Sequence, residues 1–160
     1  MTKTTKIRWV IAHEPLSLFV RAAKDFQDFV NAAQSAEKIE VEVMTLSEYS
    51  ERYNNGVLVT KHDLLDLMEQ GKIEMSQMYT TWLAAKYDQD MLALEMPFIF
   101  KDHDHATRVL EGEVGEFLLD KITAKSNVRG MAFTYSGGFR NVLSSKKIES
   151  LKDLTKEVKH

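Results

Sequence analysis

Arg140 is the residue of this 160-residue chain whose setting most favours specific chemistry. It follows the apolar run Ala132-Phe133-Thr134-Tyr135 and the pair Gly137-Gly138, and β-type residues resume at Val142 and Leu143. Two adjacent glycines let the backbone bend or approach another group closely, so the stretch reads as a strand, a kink and a second strand. A guanidinium at the kink holds five donors in a rigid fork, suited to gripping a carboxylate or phosphate bidentately. The plain alternative is a surface arginine in a loop.

Three further groups could do chemistry. Tyr79-Thr80-Thr81-Trp82 comes directly after an expected strand and could stack on and hydrogen-bond to a small polar ligand, or serve as core and cap residues. His13 follows another strand end and is either a lining residue or a plain loop histidine. His103-Asp104-His105 and His62-Asp63 are the types that hold a metal for hydrolysis. Residues two apart diverge on a helix, however, and the first cluster lies in what reads as a capping turn. There is no Gly-x-Ser-x-Gly elbow, phosphate-cradling glycine loop or dinucleotide fingerprint.

Composition narrows the classes. The length suits one ordinary domain with its own core. A net charge of -3 with interspersed signs provides no basic stripe for nucleic acid. The absence of cysteine excludes disulfides and thiolate metal sites. The polar start and the interrupted apolar run from Ile7 to Ala12 make neither an export signal nor a membrane span as written.

The elements that must position these residues alternate. Ile7–Ala12 reads as a buried strand stopped by His13-Glu14-Pro15. Leu16, Phe19, Val20, Ala23, Phe26, Val30 and Ala33 recur at helical spacing, with Pro15 near the first turn. Ile39–Met44 reads as a half-solvated strand, Glu48–Asn55 as a short helix or ordered loop, and His62–Gly71 as a helix stopped by its glycine. A third strand is predicted at Ile73–Met78, a mostly helical stretch over Leu83–Leu94, and a core plug at Glu95–Phe100. A helix capped by aspartates follows within Lys101–Gly112, a helical restart over Glu113–Ile122, then a strand over Val128–Tyr135 and the start of a last helix at Ser150–Leu154. Strand, helix, strand, helix, strand predicts a parallel sheet with right-handed crossovers. Ligands of such sheets lie in the crevice beyond the strand ends.

Taken in order, Gly71-Lys72-Ile73-Glu74-Met75, Met96-Pro97-Phe98-Ile99-Phe100, Asp104-His105-Ala106, Gly112-Glu113-Val114-Gly115 and Gly138-Phe139-Arg140, followed by Lys147-Ile148 and Asp153-Leu154, form a recognisable set. With the first strand and long helix around His13, the chain resembles the solute-binding receptors of TRAP transporters, the DctP-like family. The resemblance implies an α/β lobe of the periplasmic-binding-protein type II kind, one of two that close on an organic anion for delivery to a membrane permease. It assigns Arg140 to the ligand carboxylate and places Tyr79 and His13 at ligand-facing positions; Trp82 and Phe139, beside them in sequence, are expected to bind the ligand too. Residues 7–135 would be an incomplete first lobe, and 136–160 a hinge strand and the beginning of a truncated second lobe. His160 stands about where family members carry a second, principal arginine. Val57–Lys61 reads as a local insertion.

The expected function is therefore capture of a small carboxylate in the periplasm, without catalysis, cofactor, metal or nucleic acid. Two alternatives stand beside it: a metal-dependent hydrolase built on His103 and His105, and a non-binding fragment that self-associates through apolar surface.

Overall fold

Two parallel strands carry the architecture. In the computed structural model, which describes residues 4–13, 17–33, 38–138, 143–150 and 152–153, β1 (Thr4–Ile11) pairs with β2 (Lys38–Thr45) in register from Thr4 opposite Lys38 to Ile11 opposite Thr45. Helix α1 (Ser17–Ala32) makes the crossover between them. Its polar side chains close the outer edge of β2: the Asn31 amide accepts from the Val41 N–H at 2.7 Å and donates to the Val41 carbonyl at 3.0 Å. An open strand edge is a template for unwanted pairing, and this arrangement covers it.

The strand predicted at 73–78 is reduced to a single parallel bridge between Trp9 and Met75, on the other side of β1. The reason is local. The Glu74 carboxylate accepts the Arg8 N–H at 2.8 Å, and the Ser76 hydroxyl donates to the Val10 carbonyl at 2.7 Å. Side chains thus take backbone groups of β1 that a longer ladder would use. The segment is nevertheless fixed alongside β1, because Val10 N–H donates to the Met75 carbonyl at 3.1 Å and Met75 N–H to the Arg8 carbonyl at 3.0 Å. The Arg8 guanidinium grips the Glu74 carboxylate through both oxygens, at 2.9 and 2.5 Å.

The remaining elements pack around this sheet. Helix α2 (Leu46–Tyr53) opens with a capping box, Thr45 accepting from Glu48 N–H and the Glu48 carboxylate accepting from Thr45 N–H. Helix α3 (Leu64–Glu69) buries Leu64, Leu65 and Leu67 and is followed by Gly71 at φ +67°, the left-handed stop its glycine foretold. The helical stretch over 83–94 divides into α4 (Thr80–Lys86) and a 3-10 helix (Gln89–Glu95). The break falls at Asp88, whose side chain caps the second piece by accepting from Asp90 N–H at 2.9 Å. Helix α5 (His103–Leu110) is capped by Asp102, which accepts from His105 N–H at 2.7 Å. Helix α6 (Glu113–Lys125) follows at once.

Two buried clusters form the core. Val10, Ala12, Met44, Tyr49, Val59, Leu64, Leu67 and Ile73 make the first; Leu65, Ala84, Tyr87, Met91, Leu118 and Ile122 make the second; Met68 and Met78 touch both. Methionine's flexible thioether suits such a seam.

Two expectations are corrected. Phe98 does not plug the core: it is 94 % exposed, on a turn where its own φ is +64°. Val128–Tyr135 joins no strand ladder among the described residues, although Val128 and Phe133 pack on the second cluster and Tyr135 shares a 2.9 Å hydrogen bond with Thr107. Among the described residues, no helix is long and apolar enough to cross a membrane.

Candidate ligand-binding site

β1 ends at Ile11, and two residues later His13 turns its ring into a group of aromatic side chains. Tyr79 and Trp82 reach it from the start of α4, held there because the 73–79 segment is tied to β1. Tyr79 meets the imidazole edge to face with ring centroids 4.0 Å apart, Trp82 at 5.7 Å, and Phe19 of α1 at 6.1 Å. The group lies beyond the carboxyl end of a parallel strand, where open α/β sheets place their ligands.

His13 is buried, and neither ring nitrogen has a hydrogen-bond partner among the described residues. Native proteins rarely leave such atoms unpaired. Burial pushes its pKa below the ordinary value of 6.5, and the nearby Lys61 ammonium pushes in the same direction. The ring is therefore neutral near pH 7, with one N–H donor and one lone pair to offer.

Lys61 and His62 complete the group from the loop before α3. His62 stacks on the Trp82 indole at 4.7 Å, and the Lys61 ammonium stands 5.2 Å from the centroid of the same ring. No carboxylate pairs with Lys61 among the described residues. Of the hydroxyls that follow Tyr79, that of Thr80 is engaged by the Glu95 carboxylate.

Three of the five residues expected to line a site, His13, Tyr79 and Trp82, are thus brought together. Arg140 and Phe139 lie outside the described residues. Sequence reasoning missed Lys61, His62 and Phe19. It set Lys61 in an insertion and His62 in a metal pair, whereas the useful signal was the loop's anchorage between buried Val59 and buried Leu64.

The metal reading finds little support in the geometry. Among the described residues no three His, Asp or Glu side chains converge on a common point. Asp102 is engaged in capping, the His105 Nδ1 accepts from Lys101 N–H at 3.2 Å, and His103 lies against Tyr135 with centroids 5.6 Å apart.

The family model described as "Bacterial extracellular solute-binding protein, family 7", DctP, matches residues 11–158. The chain belongs to this family. Within family 7, it is 31 % identical over 90 residues to the C4-dicarboxylate-binding periplasmic protein DctP of Rhodobacter capsulatus, covering 56 % of this chain and 26 % of that one. Among solved structures, a TRAP periplasmic solute-binding protein from Sulfurospirillum deleyianum with bound succinate superposes with a TM-score of 0.56 at 24 % identity, over 78 % of this chain and 36 % of that one. A second, from Polaromonas sp. JS666 bound to D-erythronate, gives a TM-score of 0.55 at 21 % identity, over 76 % and 36 %. The likeness to the two structures bears on the fold, which is the α/β arrangement of a parallel sheet flanked by helices expected from the sequence. The chain spans only about a quarter to a third of the length of these relatives.

Proposed function

We propose that this chain is part of an extracytoplasmic solute receptor that captures a small organic acid in the periplasm and delivers it to a TRAP-type membrane permease. The carrying observation is the buried imidazole of His13, unpartnered at both nitrogens among the described residues and walled by Tyr79 and Trp82 at a parallel-strand end. Family membership supports the same reading, as do the acids named with the two solved neighbours. Residues 7–135 act as a first lobe, and 136–160 lead toward a second. Arg140 supplies the charge-assisted pair to the ligand carboxylate, with Phe139 beside it. Such a receptor binds and releases its cargo unchanged and performs no catalysis.

Calorimetry against a panel of small carboxylates tests the reading. Saturable binding that Arg140→Ala weakens by roughly tenfold or more, with the melting temperature preserved, is the expected result. Affinity unaffected by Arg140→Ala would contradict the assignment of that residue.

A second reading has an observation behind it. Met96, Phe98 and Ile99 are 59, 94 and 39 % exposed and lie together in sequence, an apolar surface that a second copy of this chain could cover. Light scattering across a concentration series would show growth in mass if self-association occurs, and a constant monomer mass if it does not.

A further inference from the structure

Asn55 is followed by Gly56, whereas Asn31, Asn54, Asn127 and Asn141 are followed by alanine, asparagine or valine. A glycine has no Cβ to keep its main-chain nitrogen away from the preceding side chain. The chemistry open to such a pair is cyclisation. The Gly56 nitrogen bonds to Asn55 Cγ, the bond from Cγ to the side-chain nitrogen breaks, and ammonia leaves with the proton that Gly56 gives up. Water then opens the resulting succinimide at either carbonyl, leaving aspartate or isoaspartate at position 55.

Beyond α2 the chain turns back through two left-handed residues, Asn55 at φ +54° and Gly56 at φ +76°. The turn is closed by Val57 N–H on the Asn54 carbonyl at 2.9 Å and by Asn54 Nδ2 on the Val57 carbonyl at 2.8 Å. The attacking nitrogen is itself engaged, since Gly56 N–H donates to the Ser50 carbonyl at 2.9 Å. Ser50 is buried and holds the following loop as well: its hydroxyl accepts from Val59 N–H at 2.8 Å and donates to the Leu46 carbonyl at 2.7 Å. Asn55 is exposed, and its side chain has no hydrogen-bond partner among the described residues, whereas the Asn54 amide is tied to Val57. The reactive carbonyl is therefore free and its nucleophile is held.

We infer that Asn55 is a site of spontaneous deamidation gated by the turn that closes α2: the reaction proceeds when the bond from Gly56 to Ser50 opens, and its products keep the turn from closing again. Either product puts a carboxylate at the C-terminal end of a helix, where the macrodipole disfavours it. The Glu51 carboxylate adds repulsion, its Oε2 lying 3.9 Å from where a Cβ on Gly56 would stand. Isoaspartate also routes the main chain through the side-chain carbons, and the lengthened backbone no longer carries Gly56 N–H to Ser50. Because the same serine anchors Val59, the change loosens the loop that sets Lys61 and His62 against the Trp82 indole. This ageing of the loop needs no ligand.

The full chain is incubated at neutral pH, folded and in guanidinium chloride, and the exchange of NH2 for OH is followed by mass spectrometry with peptide mapping. Position 55 should be modified ahead of every other asparagine, and about tenfold or more slowly in the folded chain, where the turn is open for a small fraction of the time. Asn54→Ala, at a half-buried residue outside both core clusters, removes the bond to Val57 and should speed the folded-state reaction by about fivefold. Asn55→Gly suits the left-handed backbone and should keep the fold while abolishing the mass change. The modified chain, separated by anion exchange, should melt at a lower temperature and show a broadened His62 ring resonance. Equal rates in the folded and denatured chain, first modification at another asparagine, or Asn54→Ala that folds without acceleration would overturn the gating. A modified chain with the parent's melting temperature and a sharp His62 ring would overturn the loosening of the loop.

Discussion

His13 and Tyr79 meet edge to face with ring centroids 4.0 Å apart, one ending the first strand and the other opening a helix far along the chain. The contact exists because the segment before Tyr79 is bonded to β1 through Met75 and Ser76. The geometry of the site therefore depends on a short stretch of backbone pairing.

The imidazole makes stability dependent on pH. Its folded pKa is depressed below the ordinary 6.5, so the unfolded chain binds more protons over this interval. The sign is fixed: the contribution is complete above pH 6.5 and is lost as the pH falls through that value toward the folded pKa. Urea midpoints of the wild type should decline through this window, and His13→Gln should flatten the decline. An unchanged slope in the variant would contradict the assignment.

Glu74→Ala removes the bidentate partner of Arg8 and the acceptor of the Arg8 N–H. The pair is partly exposed, so solvent screening reduces its worth, and a loss of about 1–2 kcal/mol is expected. Because the third segment carries Tyr79, the variant should also broaden the Tyr79 and Trp82 ring resonances. A variant as stable as the parent, with sharp rings, would show that the backbone bonds alone position the segment.

Gly115→Ala tests the turn between α5 and α6. A methyl group there would stand 1.9 Å from the backbone carbonyl oxygen of Leu110, which has no flexible end to move aside. Separation of the helices should cost about 1–3 kcal/mol, a fall of several degrees in melting temperature. A neutral substitution would contradict the close approach of these helices.

Acid should weaken the contact between α6 and the 3-10 helix. The Lys125 ammonium at 2.8 Å, then the Asp90 N–H and Lys121, hold the Asp88 carboxyl far below the usual carboxylate range. The stabilisation is present above the ordinary aspartate value of about 4 and is lost as the pH falls below it toward the folded pKa. Asp88→Asn should be less stable at neutral pH and should converge with the parent at low pH. Parallel curves for the two proteins across the acid range would contradict this.

Much of this was legible in the residues. The periodicity of Phe19, Val20, Ala23, Phe26 and Val30 located α1, and alternation located β2. Gly71 marked the end of α3 because a left-handed stop there favours glycine. The meeting of His13, Tyr79 and Trp82 was legible because they follow apolar strand-like runs, and parallel strands put such positions on one edge. The third strand was overread: Glu74 and Ser76 hydrogen-bond to β1 through their side chains, a competition that propensity does not register. Phe98 was misread because hydrophobicity forecasts burial while the turn at Pro97 decides direction. Lys61 and His62 were read otherwise since their placement depends on a tertiary neighbour, Trp82, rather than on any local pattern.

The most direct test of the central claim follows the His13 ring and the Trp82 indole of this chain by NMR while D-erythronate is added at fixed pH and ionic strength. Both should move together along one saturable curve, ahead of the resonances of His103 and His105. Movement confined to His103 and His105, or none at either place, would contradict the assignment of the crevice at the end of β1 as the ligand site.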